Sequence, residues 1–76
     1  MNKTEFMNAV AKQAEAVIQD DKMCLAYVII KSQDCINTDL WKFYNTDHNI
    51  MGLVEMLVVS YSTIVRKKEG VSNYEM

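Results

Sequence analysis

The chain has 76 residues, a formal net charge of −2 and 50% hydrophobic residues, which is the composition of one small globular domain. A charge this close to neutral provides no basic field to hold nucleic acid by its phosphates, and it is too mild to favour a mimic of a polyanion. A domain of this size usually needs oligomerisation, a metal or disulfides in addition to its core.

The N-terminal stretch MNKTEFMNAV has no apolar run after a basic stretch, so we expect no signal peptide. We therefore expect a cytoplasmic protein in which Cys24 and Cys35 are reduced.

The first predicted element is a helix from about Lys3 to Gln19. Asn2 followed by Glu5 has the spacing of an N-terminal capping box. Apolar residues recur every three or four positions and share one face of this helix. They are Phe6, Met7, Val10, Ala11, Ala14, Val17 and Ile18.

The middle of the chain predicts a β-hairpin. β-branched and aromatic residues favour a strand across Met23 to Lys31, and the aromatic-rich segment from Leu40 to Asn45 predicts its partner. The intervening residues 32–39 have a loop composition, and so short a connection favours antiparallel pairing. The expected fold class is therefore α+β: a small single α-β-β-α domain in which two helices pack on a two-stranded antiparallel sheet.

This hairpin would present two faces, because side chains alternate across a strand. The face expected in the core, with Trp41 and Phe43 among its residues, comprises Cys24, Ala26, Val28, Ile30, Trp41 and Phe43. The second face comprises Met23, Leu25, Tyr27, Ile29, Lys31, Leu40, Lys42 and Tyr44. Two helices cover only one face of such a sheet, so we expect Leu25, Tyr27 and Ile29 to lie in an oligomer interface.

A second helix is predicted from about His48 to Lys68, with Thr46 or Asp47 as its N-cap and Gly70 as its stop. Residues 49–65 hold eleven aliphatic or aromatic side chains and one charge. The apolar run is too short and too polar for a comfortable membrane span, so a core and a partner surface explain it better. We expect residues 1–70 to form the domain and residues 71–76 to form a disordered tail.

The back of this second helix carries a narrow stripe of residues that includes Gly52, Met56, Val59 and Thr63. Another helix is able to approach such a stripe closely, so Gly52, Met56 and Val59 are further candidates for the oligomer interface. The alternative is an ordinary back of small residues in solvent.

Few residues in the chain suggest chemistry. No Cys or His has a second ligand at metal-binding spacing, and no Gly-rich loop is present to hold a phosphate. The chain also lacks paired carboxylates or a Cys–His pair for catalysis. We therefore expect no metal, no cofactor and no enzymatic activity within one chain.

Tyrosine and lysine side chains on the second hairpin face suggest a binding site. Tyrosines beside cations suit a protein hot spot or a small anionic aromatic ligand. The simpler alternatives are an exposed first-turn position for His48 and an interaction with the helix dipole for Arg66. The candidate binding residues are Tyr27, Lys31, Lys42, Tyr44, His48 and Arg66.

In size, in its lack of targeting signals and in its predicted helix–hairpin–helix layout, the chain resembles small accessory proteins of phages and mobile elements. These include anti-CRISPR proteins and scavengers of defence-signalling nucleotides. The resemblance implies a homo-oligomeric inhibitor in the host cytoplasm that occupies a host protein or sequesters a nucleotide. The alternatives are an enzyme or regulator with a site assembled across an oligomer interface and, third, a membrane-associated protein.

Overall fold

The computed structural model describes the backbone of residues 1–74 and the side chains of residues 1–67. It contains three α-helices, α1 (Lys3–Val17), α2 (Lys22–Asn37) and α3 (Asp47–Tyr74), and a short 3-10 segment, Asp39–Lys42, between α2 and α3. Each α-helix contacts the other two. The predicted α+β fold is wrong, because no β-strand occurs within residues 1–74.

The first predicted helix is present as α1. The Asn2 side chain accepts a hydrogen bond from the Glu5 amide at 2.8 Å, and the Glu5 carboxylate accepts one from the Asn2 amide at 2.9 Å. This reciprocal pair is the predicted capping box. Phe6, Val10 and Ala14 point into the core from one face of α1 and have no exposed surface.

The segment from Met23 to Lys31, predicted as a strand, lies within α2. Asp21 caps this helix by accepting a hydrogen bond from the Cys24 amide at 3.0 Å. Cys24, Val28 and Ser32 are buried four residues apart, which is the helical period. The helix penalty of a β-branched residue is about 0.5 kcal/mol, whereas burying an aliphatic side chain contributes about 1.5–3 kcal/mol. Burial between helices therefore outweighs the strand preference.

The second predicted strand is replaced by the 3-10 segment and the turn that follows it. Thr38 begins this segment, because its hydroxyl accepts a hydrogen bond from the Leu40 amide at 3.3 Å. Trp41 is half-buried, with its ring edge-on to Phe6 at a centroid distance of 6.1 Å. Phe43 is 72% exposed, so its predicted place in the core is wrong.

The last predicted helix is present as α3 and is longer than expected. The Thr46 hydroxyl accepts a hydrogen bond from the Asn49 amide at 3.2 Å, so Thr46 is the capping residue of the two candidates. The helix continues past Gly70, its predicted stop, to Tyr74. Glu75 and Met76 lie outside the described residues, as do the side chains of the predicted disordered tail.

The core lies where the three helices meet. Its α3 contribution comes from Ile50, Leu53, Val54 and Leu57, each no more than 8% exposed. Residues Asp47–Lys67 of α3 are also long and apolar enough to cross a membrane, judged by length and composition alone, with a mean hydropathy of 1.3. Only 22% of that apolar window is buried in the fold, so α3 carries more apolar surface than the core uses.

Candidate functional site

The first candidate site is a row of four exposed residues, which we call the α3 stripe: Gly52, Met56, Val59 and Thr63. Met56 is 49% exposed and Val59 is 64% exposed. The Thr63 hydroxyl donates to the Val59 carbonyl at 2.9 Å, so it is satisfied by its own helix. A Cβ atom placed on Gly52 would meet no neighbouring atom within 4 Å. The helix backbone at Gly52 is therefore open to approach.

The α3 stripe lies on the side of the helix opposite Ile50, Leu53 and Leu57, which fill the core. Glu55 and Arg66 are exposed along its edge. Single exposed apolar residues are ordinary on a protein surface, whereas apolar patches rimmed by polar residues occur at interaction surfaces. The α3 stripe contributes two adjacent apolar side chains, Met56 and Val59, to such a surface. The stripe can contact a partner helix without disturbing the core.

The second candidate site is a cleft of about 400 Å³, which we call the α2–α3 cleft. It opens between the start of α2 and the C-terminal half of α3. Its apolar residues come from the end of α1 and from α3, whereas hydroxyls and two charged side chains supply polar groups. The lining residues are Ile18, Asp21, Cys24, Val58, Tyr61, Ser62, Val65 and Arg66.

The titratable groups of the α2–α3 cleft influence one another. Burial raises the pKa of the Cys24 thiol above its ordinary 9.0, and the negative charge of Asp21 raises it further. Burial also raises the pKa of the Tyr61 hydroxyl, with smaller contributions from Asp21 and Cys24. Both groups are therefore protonated at neutral pH. Because the thiolate is the nucleophilic form of cysteine, this cleft is better suited to binding than to nucleophilic catalysis.

Aromatic contacts connect the cleft to two of the predicted binding residues. The rings of Tyr27 and Tyr61 lie 5.4 Å apart between centroids. The Lys31 Nζ lies 5.6 Å from the centroid of the Tyr27 ring, within the range of a cation–π interaction. Tyr61 and Arg66 both line the cleft. Tyr27 therefore contacts Tyr61, Lys31 lies over Tyr27, and Arg66 lines the same cleft as Tyr61. Tyr61 was not among the predicted site residues.

The other three predicted binding residues lie elsewhere. Lys42 is on the 3-10 segment, where its Nζ lies 3.5 Å from a carboxylate oxygen of Asp39 and both side chains are exposed. Tyr44 is half-buried against the core. His48 is exposed in the first turn of α3, about 27 Å along the helix from Arg66. The sheet face expected to unite these side chains does not exist within residues 1–74.

The predicted interface residues also separate into two groups. Gly52, Met56 and Val59 are exposed together on the α3 stripe. Leu25, Tyr27 and Ile29 are half-buried and pack against the core. These three do not form a second apolar face, and any role in an interface remains a prediction.

Sequence reasoning missed Asp21, Tyr61 and Ser62 as possible site residues. Asp21 lies three residues before Cys24, the first buried residue of α2, and an Asp in that position is a signal that could have identified it as a helix cap. Nothing local to Tyr61 or Ser62 places them beside Asp21, because the packing of α3 on α2 brings them together. Among the described residues, no group of three or more His, Cys, Asp or Glu side chains could hold a metal ion.

No protein-family model, curated protein or solved structure matches this chain.

Proposed function

We propose that this protein is a non-enzymatic binding module that self-associates through the α3 stripe and acts by occupying a protein surface. The observation that carries the proposal is the exposure of Met56 and Val59 on the side of α3 that faces away from the core. A chain of 76 residues has a small core, and pairing two copies would remove this apolar surface from water.

The helix dipole and the residue order of the α3 stripe favour a second copy of the chain in antiparallel orientation. Antiparallel pairing opposes the two helix dipoles. It also aligns Met56 with Val59 and Gly52 with Thr63, so large residues meet at the centre and small ones flank them.

The same surface favours a protein partner over a membrane. Ile50, Leu53 and Leu57 are buried in the core, and α3 would have to leave that core to span a bilayer. Glu55 is exposed within the apolar segment, where burial in hydrocarbon would be costly. A partner helix can cover the α3 stripe while the core stays intact and Glu55 remains at the rim.

Binding is the one activity that we propose for the α3 stripe. The α3 stripe contains no titratable side chain, so pairing two copies through it assembles no acid–base pair at its centre. The anti-defence role implied by the layout resemblance depended on a hairpin that residues 1–74 lack. No described feature supports that role or the sequestration of a nucleotide on a sheet face.

The test compares Val59→Lys with Ile30→Lys by sedimentation equilibrium at micromolar concentration. Val59 and Ile30 are similarly exposed, at 64% and 60%, and each has an acidic residue four positions away, Glu55 or Asp34. Both variants should fold, because each introduced lysine lies in water near a carboxylate. We expect Val59→Lys to be monomeric and Ile30→Lys to remain dimeric.

Equal masses for the two variants would contradict an interface centred on the α3 stripe. A wild-type chain that stays monomeric in buffer but co-sediments with phosphatidylcholine vesicles would instead indicate a membrane surface as the partner and overturn the proposal.

A further inference from the structure

We infer that the α2–α3 cleft binds a small zwitterionic molecule with an apolar body, such as an amino acid. The inference goes beyond self-association, because most of the cleft lies on a different side of α3 from the stripe. Val58, Tyr61 and Val65 line the cleft, whereas Met56 and Val59 belong to the stripe.

The size and lining of the cleft fit a small ligand. Its volume of about 400 Å³ lies in the range of small-molecule sites, which usually combine an apolar lining with a few polar groups. Ile18, Val58 and Val65 supply apolar surface for the body of the ligand. The Tyr61 and Ser62 hydroxyls supply hydrogen-bonding groups beside it.

The two charged residues of the cleft determine the ligand class. Asp21 is held in place by its helix-capping bond to the Cys24 amide at 3.0 Å through one carboxylate oxygen, which leaves the other available. Arg66 forms no ion pair with any described side chain. One carboxylate and one guanidinium in the same cleft match the ammonium and carboxylate of a zwitterion. A ligand with a single charge would leave one of the two unmatched.

The negative charge of Asp21 affects the titratable groups that line the cleft. It contributes to raising the pKa of both Cys24 and Tyr61, after the larger effect of burial. The Tyr61 hydroxyl therefore stays protonated and able to donate a hydrogen bond. With no thiolate and no phenolate present at neutral pH, Arg66 and Asp21 supply the charges of the cleft.

The experiment uses three probes that share a phenyl ring and differ in charge: phenylalanine, phenylacetate and phenethylamine. Phenylalanine carries both charges, phenylacetate only the carboxylate and phenethylamine only the ammonium. Each is titrated to millimolar concentration into the ¹⁵N-labelled full chain while amide shifts are followed by NMR. We expect phenylalanine to shift the amides of Asp21, Ser62 and Val65 and to bind about tenfold more tightly than either singly charged probe.

Three variants separate the contributions of the side chains. Asp21→Asn keeps a helix-capping side chain but removes the negative charge. This variant should bind phenylalanine and phenylacetate with equal affinity. Arg66→Gln removes the positive charge and should bind phenylalanine and phenethylamine with equal affinity. Lys67→Gln is the matched control, because Lys67 neighbours Arg66 in sequence but does not line the cleft, and it should bind all three probes like the wild type.

Two results would overturn the inference. One is the absence of phenylalanine-induced shifts in the cleft amides. The other is equally tight binding of phenylalanine and a singly charged probe by the wild type. Neither result depends on whether the chain is a monomer or a dimer. Failure of ligand binding would therefore leave the proposal of self-association standing, and a monomeric chain would leave the proposal of ligand binding standing.

Discussion

Among the side chains that the structure describes, Ser32 is the one buried polar residue. It is fully buried on the core face of α2, and its hydroxyl has no hydrogen-bond partner among the described residues. An unpaired buried hydroxyl costs about 1–3 kcal/mol of desolvation, whereas alanine leaves only a small gap in its place. We predict that Ser32→Ala raises the free energy of unfolding by about 1 kcal/mol, measured by urea denaturation. A loss of stability would show that the hydroxyl has a partner.

Ionisation of the Cys24 thiol should lower the free energy of unfolding at alkaline pH. Burial and the charge of Asp21 raise the pKa of its thiol in the folded state above 9.0, so the folded chain holds that proton more tightly than the unfolded chain. The resulting stability is fully present below pH 9.0 and is lost as the pH rises through the folded-state pKa.

We therefore predict that the free energy of unfolding falls less steeply above pH 9 in Cys24→Ala than in the wild type. Urea denaturation of both proteins at several pH values from neutral to alkaline measures this difference, since the cost of the truncated side chain itself does not vary with pH. Parallel pH profiles would contradict the assigned environment of Cys24.

At Gly52 of α3, a substitution should have opposite effects on the stability of the folded monomer and on dimerisation. Leucine is a much better helix former than glycine, by about 0.8–1 kcal/mol, and a Cβ atom at this position meets no neighbouring atom within 4 Å. We predict that Gly52→Leu is more helical and more stable as a monomer by circular dichroism, yet dimerises more weakly because the added side chain blocks close approach. Unchanged dimerisation would exclude Gly52 from the interface.

The helices also differ in how far the sequence predicted them. The start of α1 was predictable because a capping box and a helical apolar face agree at Asn2 and Glu5. The fold of α2 was not, because the run Val28-Ile29-Ile30 favours a strand locally while Cys24, Val28 and Ser32 follow the helical period. Only burial against α1 and α3 decides between the two patterns.

The two candidate sites also differ in whether local sequence could predict them. The α3 stripe could be predicted because Gly52, Met56 and Val59 lie on one continuous helix, where spacing alone defines a face. The α2–α3 cleft could not, because Asp21 and Tyr61 are forty residues apart and meet only through helix packing. The alternation of a strand, assumed for residues 40–45, also placed Lys42 and Tyr44 on a sheet face that residues 1–74 do not contain.

At the scale of the whole molecule, the core is small and the apolar surface outside it is large. Within residues 1–67, ten hydrophobic residues form the buried core, whereas Phe43, Met56 and Val59 are among the large apolar side chains left in water. Domains of this size are marginally stable alone and gain from association. Self-association through the α3 stripe would add apolar burial that the three helices of one chain do not provide.

The molar mass of the wild-type chain in solution tests self-association most directly. Sedimentation equilibrium across a range of micromolar concentrations should give a mass approaching twice 8.8 kDa, and falling toward 8.8 kDa on dilution. A mass of 8.8 kDa at every concentration would show that the α3 stripe remains exposed in the free protein and would contradict its proposed role in dimerisation.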